Sequence, residues 1–191
     1  MNYLAHSFLS YSKPQIVGNL LVDFARRKDR LDYPFEIQKG ITLHYAIDAY
    51  TDAHPKFKEI KAVFRPLTGH YAGVFADIVL DYFILNDPTL KTTEQWQCHC
   101  DGVYESLETY YEWLPPRLKA SLPSMLRDNW LMQYQTLEGM QRALGHVVRR
   151  ANFLEDKTDV FSVLKTNLTE IEALYQVFFP DLRAYCESLK P

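Results

Sequence analysis

Cysteine and uninterrupted apolar runs are both scarce in this chain of 191 residues. The three cysteines, Cys98, Cys100 and Cys186, are odd in number and do not suit a disulfide framework, so a reducing compartment, the cytoplasm, is expected. The longest apolar stretch, Gly73 to Leu85, is interrupted by Asp77 and Asp81, so no membrane span is expected. The opening MNYLAHSFLSYSKP has neither a basic n-region nor a small-residue cleavage site, and no secretory leader is expected. An excess of one charge is lacking as well. The formal net charge is -3, which points neither to a nucleic-acid partner nor to an acidic disordered tail. No segment repeats at a fixed period, and no stretch reads as an interdomain linker. What remains is one domain spanning 1–191, 47% hydrophobic, long enough to bury a core without disulfides.

Prolines divide that domain into helical lengths, because each lacks an amide donor and tends to open or stop a helix. Pro14 opens a segment to about Arg27, Pro34 opens one reaching His54, and Pro55 opens a short helix closed by Pro66. From Gly69 to about Asn86, Phe75, Ile78, Val79, Tyr82 and Phe83 recur three and four apart, the period of a packed helix. Thr93 to Trp113, Leu122 to Tyr134 and Leu137 to Arg149 read as further helices. Val160, Leu164, Leu168, Ile171, Tyr175 and Phe178 form the stripe of a last helix ended by Pro180. Strand-like alternation is absent. The expectation is an all-α fold, a single compact helical bundle.

Within it, His44, Asp48 and Asp52 stand four residues apart and so line one helix face. Asp77 and Asp81 repeat the spacing inside an apolar run, where buried carboxylates that are neither paired nor bound to a cation cost several kcal/mol as an order of magnitude and repel each other. Oxygen ligands with one or two imidazoles and no thiolate suit Mn²⁺, Mg²⁺ or Fe²⁺ better than structural zinc. His6 and Asp23 are further candidates. Any one of these residues could equally be a surface hydrogen-bonded partner; the set, with two carboxylates in an apolar run, points to a metal or catalytic centre. Cys98-His99-Cys100 is discounted as a ligand cluster, because adjacent helical positions point in different directions.

The strings MNYLAH, GNLLVDF (Gly18–Phe24) and GITLHYAIDAYTDAHP (Gly40–Pro55), the Asp77/Asp81 pair and, toward the end, Arg149-Arg150 and FFPDL (Phe178–Leu182) resemble the acyl-carrier-protein phosphodiesterase family. That resemblance implies an HD-domain-like helical fold, dependence on a divalent metal, most often Mn²⁺, and hydrolysis of the phosphodiester joining 4′-phosphopantetheine to a serine of acyl carrier protein. It implies His44, Asp48, Asp77 and Asp81 as metal ligands, with Asp23 and His6 next. His6 or His54 would supply a proton to the departing serine, and Asp52 would orient water. The basic stretches Arg26, Arg27, Lys28 and Arg30, and Lys56, Lys58, Lys61 and Arg65, would steer the acidic carrier protein.

Two motif positions depart from the family's usual pattern. Tyr45 stands where Arg commonly follows the motif histidine, and Tyr82 where His commonly follows the second aspartate. Two other readings therefore accompany the first: hydrolysis of a nucleotide or another small phosphodiester, and a non-catalytic carrier-binding homologue.

Overall fold

Apolar residues three and four apart can all be buried only on a helix, and the computed structural model, which describes residues 1–25, 27–155 and 158–190, is built of helices with no strand among the described residues. In chain order these are α1 (Tyr3–Phe8), α2 (Lys13–Leu21), a 3₁₀ turn (Arg27–Asp32), α3 (Phe35–Ala53), α4 (Pro55–Thr68), α5 (Ala72–Asn86) and α6 (Thr93–Thr109). There follow α7 (Pro116–Asp128), α8 (Trp130–Gln133), α9 (Leu137–Arg150), α10 (Val160–Thr166) and α11 (Leu168–Ser188). The all-α expectation holds. No helix among the described residues is long and apolar enough to cross a membrane.

The chain divides into two units, the first made of Tyr3–Ala49 and Pro88–Met132, the second of Met1–Asn2, Tyr50–Asp87 and Gln133–Pro191. In the first, α1 and α2 pack on each other and on α6. Leu4, Val17, Leu21, Ile37, Val103 and Leu107 are fully buried there, and Trp96 closes the cluster against Phe8 at 5.1 Å between ring centres. Thr92 and Gln95 start α6 with a reciprocal capping box, which satisfies two otherwise orphaned amides. In the second unit, α4 lies against α5 and α11, and α5 against α9. Phe57, Ile60 and Phe64 of α4, Phe75 and Val79 of α5, and Phe178 and Phe179 of α11 form its core. A buried hydrogen bond from the Tyr175 hydroxyl to Asp87 Oδ2, 2.9 Å, ties α11 to the end of α5.

Proline punctuates less sharply than the sequence suggests. Pro66 lies inside α4, Pro123 inside α7 and Pro180 inside α11, each of which continues past it. A proline in a helix interior costs about 3 kcal/mol, and around Pro180 the burial of Phe178, Phe179 and Leu182 outweighs it. Helix α7 begins at Pro116 rather than near Leu122, with Pro at its first turn, and ends where Asn129 turns left-handed at φ 45°. Helix α2 stops at Leu21, short of Arg27. The single last helix is two, divided at Asn167, whose Nδ2 donates to the Val163 carbonyl at 2.8 Å. Between α4 and α5, Gly69 takes φ 54°, a turn that a side chain would strain.

His99 of α6 sits part-buried with Nε2 3.0 Å from Ser7 Oγ. Burial, and then the Lys91 charge, lower its pKa from 6.5 to about 4, and burial does the same to His6. Unfolded histidine therefore takes up a proton before the folded one does. Stability is complete above about pH 6.5 and falls as pH drops toward 4, by on the order of 1 kcal/mol per pH unit for each histidine. Urea unfolding at pH 7 and pH 5 measures this, and His99→Gln should flatten the slope; an equally steep slope in the variant would remove His99 from the account.

Candidate metal centre

The site begins with two helices whose backbones touch. A Cβ placed on Gly18 would stand 2.0 Å from the Ile37 carbonyl oxygen, and one on Gly40 2.3 Å from the Gln15 carbonyl oxygen. Only residues without a side chain allow α2 and α3 to approach this closely. The contact delivers Asn19, fully buried, to His44: the ring's Nδ1–H donates to the Asn19 carbonyl oxygen at 2.9 Å and to its Oδ1 at 3.1 Å. Asn19 Nδ2 in turn donates to the His6 carbonyl at 3.0 Å and to Ser10 Oγ at 3.1 Å. One asparagine thus seats both histidines. Because the carbonyl can only accept, the proton of neutral His44 is on Nδ1 and the lone pair on Nε2.

That lone pair meets other acceptors. His44 Nε2 lies 3.1 Å from Asp48 Oδ2, one helical turn on, and His6 Nε2 lies 3.3 Å from Asp48 Oδ1. The two imidazoles are stacked, with ring centres 4.1 Å apart and planes 11° from parallel. Their Nε2 atoms and the Asp48 carboxylate fall within 4.8 Å of one another, and among the described residues this is the cluster of three that could hold a metal ion. His6 is 1% exposed; its Nδ1 has no hydrogen-bond partner, and its Nε2 has only the Asp48 carboxylate in front of it. Burial lowers its pKa to about 4, so it is neutral at pH 7 and offers a lone pair. Burial on its own would raise the Asp48 carboxyl; where the two Nε2 atoms carry protons, hydrogen bonds from His44 and His6 outweigh it and hold the group well below the usual carboxylate range. Asp23, in the turn after α2, reaches solvent, yet crowding by neighbouring protein raises its carboxyl.

The other sequence candidates have different partners. Asp52, next along the ladder, is exposed and paired with Lys61 Nζ at 3.0 Å. His54 caps α4, Nδ1 accepting from the Lys56 amide at 3.2 Å and Nε2 lying 3.3 Å from Asp181. In the second unit, Asp77 Oδ1 is 3.0 Å from the Met1 amino group, and Asp81 is fully buried on the same face of α5. Lys56 pairs with Glu59 at 2.9 Å, and Lys58 is exposed. Arg26 and the side chains of Arg27 and Lys28 lie outside the described residues.

A sequence model described as acyl carrier protein phosphodiesterase matches residues 1–182. The chain belongs to that family. It is 29% identical over 198 residues to the acyl carrier protein phosphodiesterase of Klebsiella pneumoniae (strain 342), with 98% of each chain covered. It is similar also to that of Enterobacter sp. (strain 638), at 30% identity with 94% of each covered, and to that of Photorhabdus laumondii, at 26% with 98% and 96% covered. No solved structure is significantly similar. In this acyl-carrier-protein phosphodiesterase family member, the residue missed from the sequence is Asn19. Its signal was visible: a polar side chain in the midst of the apolar string Ile16, Val17, Leu20 and Leu21 must have a buried partner.

The backbone contact under the site makes a prediction of unusual sign. Helix propensity alone favours Gly→Ala by about 1 kcal/mol. At Gly40, overpacking should reverse this, and Gly40→Ala should lose about 2 kcal/mol or more in urea unfolding. An unchanged or higher midpoint would contradict the crossing described above.

Proposed function

We propose that the protein is a metal-dependent phosphodiesterase that removes 4′-phosphopantetheine from holo acyl carrier protein, cleaving its phosphodiester to the carrier's serine. Membership of the family supports the reaction and the protein substrate. The observation that carries the metal is His6: a neutral, buried imidazole whose Nε2 faces, together with that of His44, one carboxylate. A lone pair on Nε2 set against carboxylate oxygen is repelled, and a cation between the three ligand atoms turns that repulsion into attraction. Two imidazoles and a carboxylate with room for further oxygen ligands suit a labile divalent ion, and Mn²⁺ is the proposed one.

In this reading His6, His44 and Asp48 hold the ion. Asn19 fixes the His44 ring so that in its neutral form the lone pair is on Nε2, the outer-sphere role that sets ligand orientation and basicity. Asp23, whose charge is coupled to both His44 and Asp48, is the next carboxylate proposed to face the ion. When bound, the metal supplies acidification of water and neutralisation of phosphoryl charge. The low Asp48 carboxyl keeps its charge through the neutral pH range, so the ligand set does not compete with protons there. Three free cysteines, two of them buried, fit the proposed cytoplasmic setting.

Two measurements test this. Purified protein incubated with Mn²⁺ and holo carrier should yield carrier lighter by the phosphopantetheine group in mass spectrometry; carrier bound but unchanged would instead support a non-catalytic homologue. His6→Ala and Asp48→Asn should each lower metal content, measured by elemental analysis, and reduce turnover by about 100-fold or more. Full metal occupancy in both variants would place the ion elsewhere.

A further inference from the structure

One cation near the cluster has no carboxylate partner among the described side chains. Arg30, at the end of the 3₁₀ turn, holds its guanidinium carbon 4.5 Å from the centre of the Tyr45 ring, and its Nε is buried without a hydrogen-bond partner. Every other side-chain cation stacked on a ring in the first unit lies elsewhere: Lys39 on Phe35, Lys91 on Phe8 and Trp96, Lys119 on Tyr111. Tyr45 packs edge-on to His44, with ring centres 5.8 Å apart at 83°. It also lies three residues before Asp48 on α3, and both are more than a third exposed. The stacked guanidinium therefore stands one aromatic ring away from His44, a proposed metal ligand.

An arginine so placed has a defined chemistry. Stacking on the ring fixes the plane of the guanidinium and leaves its edge, with N–H groups in a rigid fork, to recognise an oxyanion. A buried, unpartnered N–H is a cost that a bound oxyanion relieves. We infer that Arg30, held by Tyr45, is an anion-positioning residue that grips a non-bridging oxygen of the substrate's phosphoryl group beside the metal cluster. This rests on the phosphodiesterase reading for the identity of the substrate, but anion capture itself does not need turnover. The two tyrosine and arginine positions act together: the ring supplies the platform and the neighbouring turn supplies the charge.

Inorganic phosphate titrated calorimetrically into the full chain, held with Mg²⁺, tests the capture directly. Arg30→Gln should weaken phosphate binding about tenfold, the effect of losing one charged hydrogen bond. Arg30→Lys should recover only part of it, since the charge returns without the fork. Tyr45→Leu, which removes the platform but no charge, should weaken binding in the same direction. Lys39→Gln removes an equal charge from the same unit, where Lys39 is paired with Glu36, and should leave binding unchanged. With holo carrier as substrate, Arg30→Gln should raise KM about tenfold and change kcat less than threefold, because the contact is made in ground and transition state alike. Equal weakening by Lys39→Gln would reduce Arg30 to general electrostatics and overturn the proposal. So would a raised KM with unchanged phosphate affinity, which would assign Arg30 to carboxylates of the carrier. A wild-type protein that binds phosphate through Arg30 yet leaves holo carrier intact would sink the phosphodiesterase reading and uphold this one.

Discussion

Two helices meeting backbone to backbone set the position of everything in the candidate centre. The close approach of α2 and α3 at Gly18 and Gly40 fills no volume with side chains, yet it brings a main-chain carbonyl within hydrogen-bonding distance of a histidine ring. Move the helices apart by the width of one methyl group and Asn19 no longer reaches His44. The histidine would then be free to change tautomer and to turn its wrong nitrogen toward Asp48. Packing geometry here decides chemistry through a single proton's location.

Burial and ligation pull against each other at His6. Enclosure keeps the ring neutral, which a ligand needs, and also strips both nitrogens of water, which a side chain with no task would not tolerate. Stacking on His44 adds to burial in keeping the His6 ring neutral. Asp48 completes the balance as the half-buried carboxylate, joining a dry interior to solvent. Next to it the Tyr45 ring carries Arg30, so that positive charge borders the cluster without occupying it.

Much of this was legible in the residues, and the limits have physical causes. The helical class followed from apolar period, and the His44–Asp48 pair from spacing. Four residues advance about 40° beyond a full turn, and two steps after His44 the Asp52 side chain pairs with Lys61. Pro66 and Pro180 misled for another reason: a local rule about helix ends yields to tertiary burial of aromatic side chains. His54 caps α4, since the residue before a helix-opening proline is extended and its ring can turn back to an unpaired amide. The role of Asn19 needed the crossing itself, a contact between segments more than twenty positions apart that no local pattern encodes.

Helix α1 is six residues long, far too short to be stable alone. It is held by α2, by α6 and by the hydrogen bonds that Asn19 and Ser10 make to the His6 carbonyl. His6 is made before the helices that seat it, and the seat is complete only when Thr109 has been added, at some 5–20 residues per second. For those seconds its imidazole lacks the helices that bury it. The candidate centre thus comes together only once more than half of the chain has been made, from segments far apart in sequence.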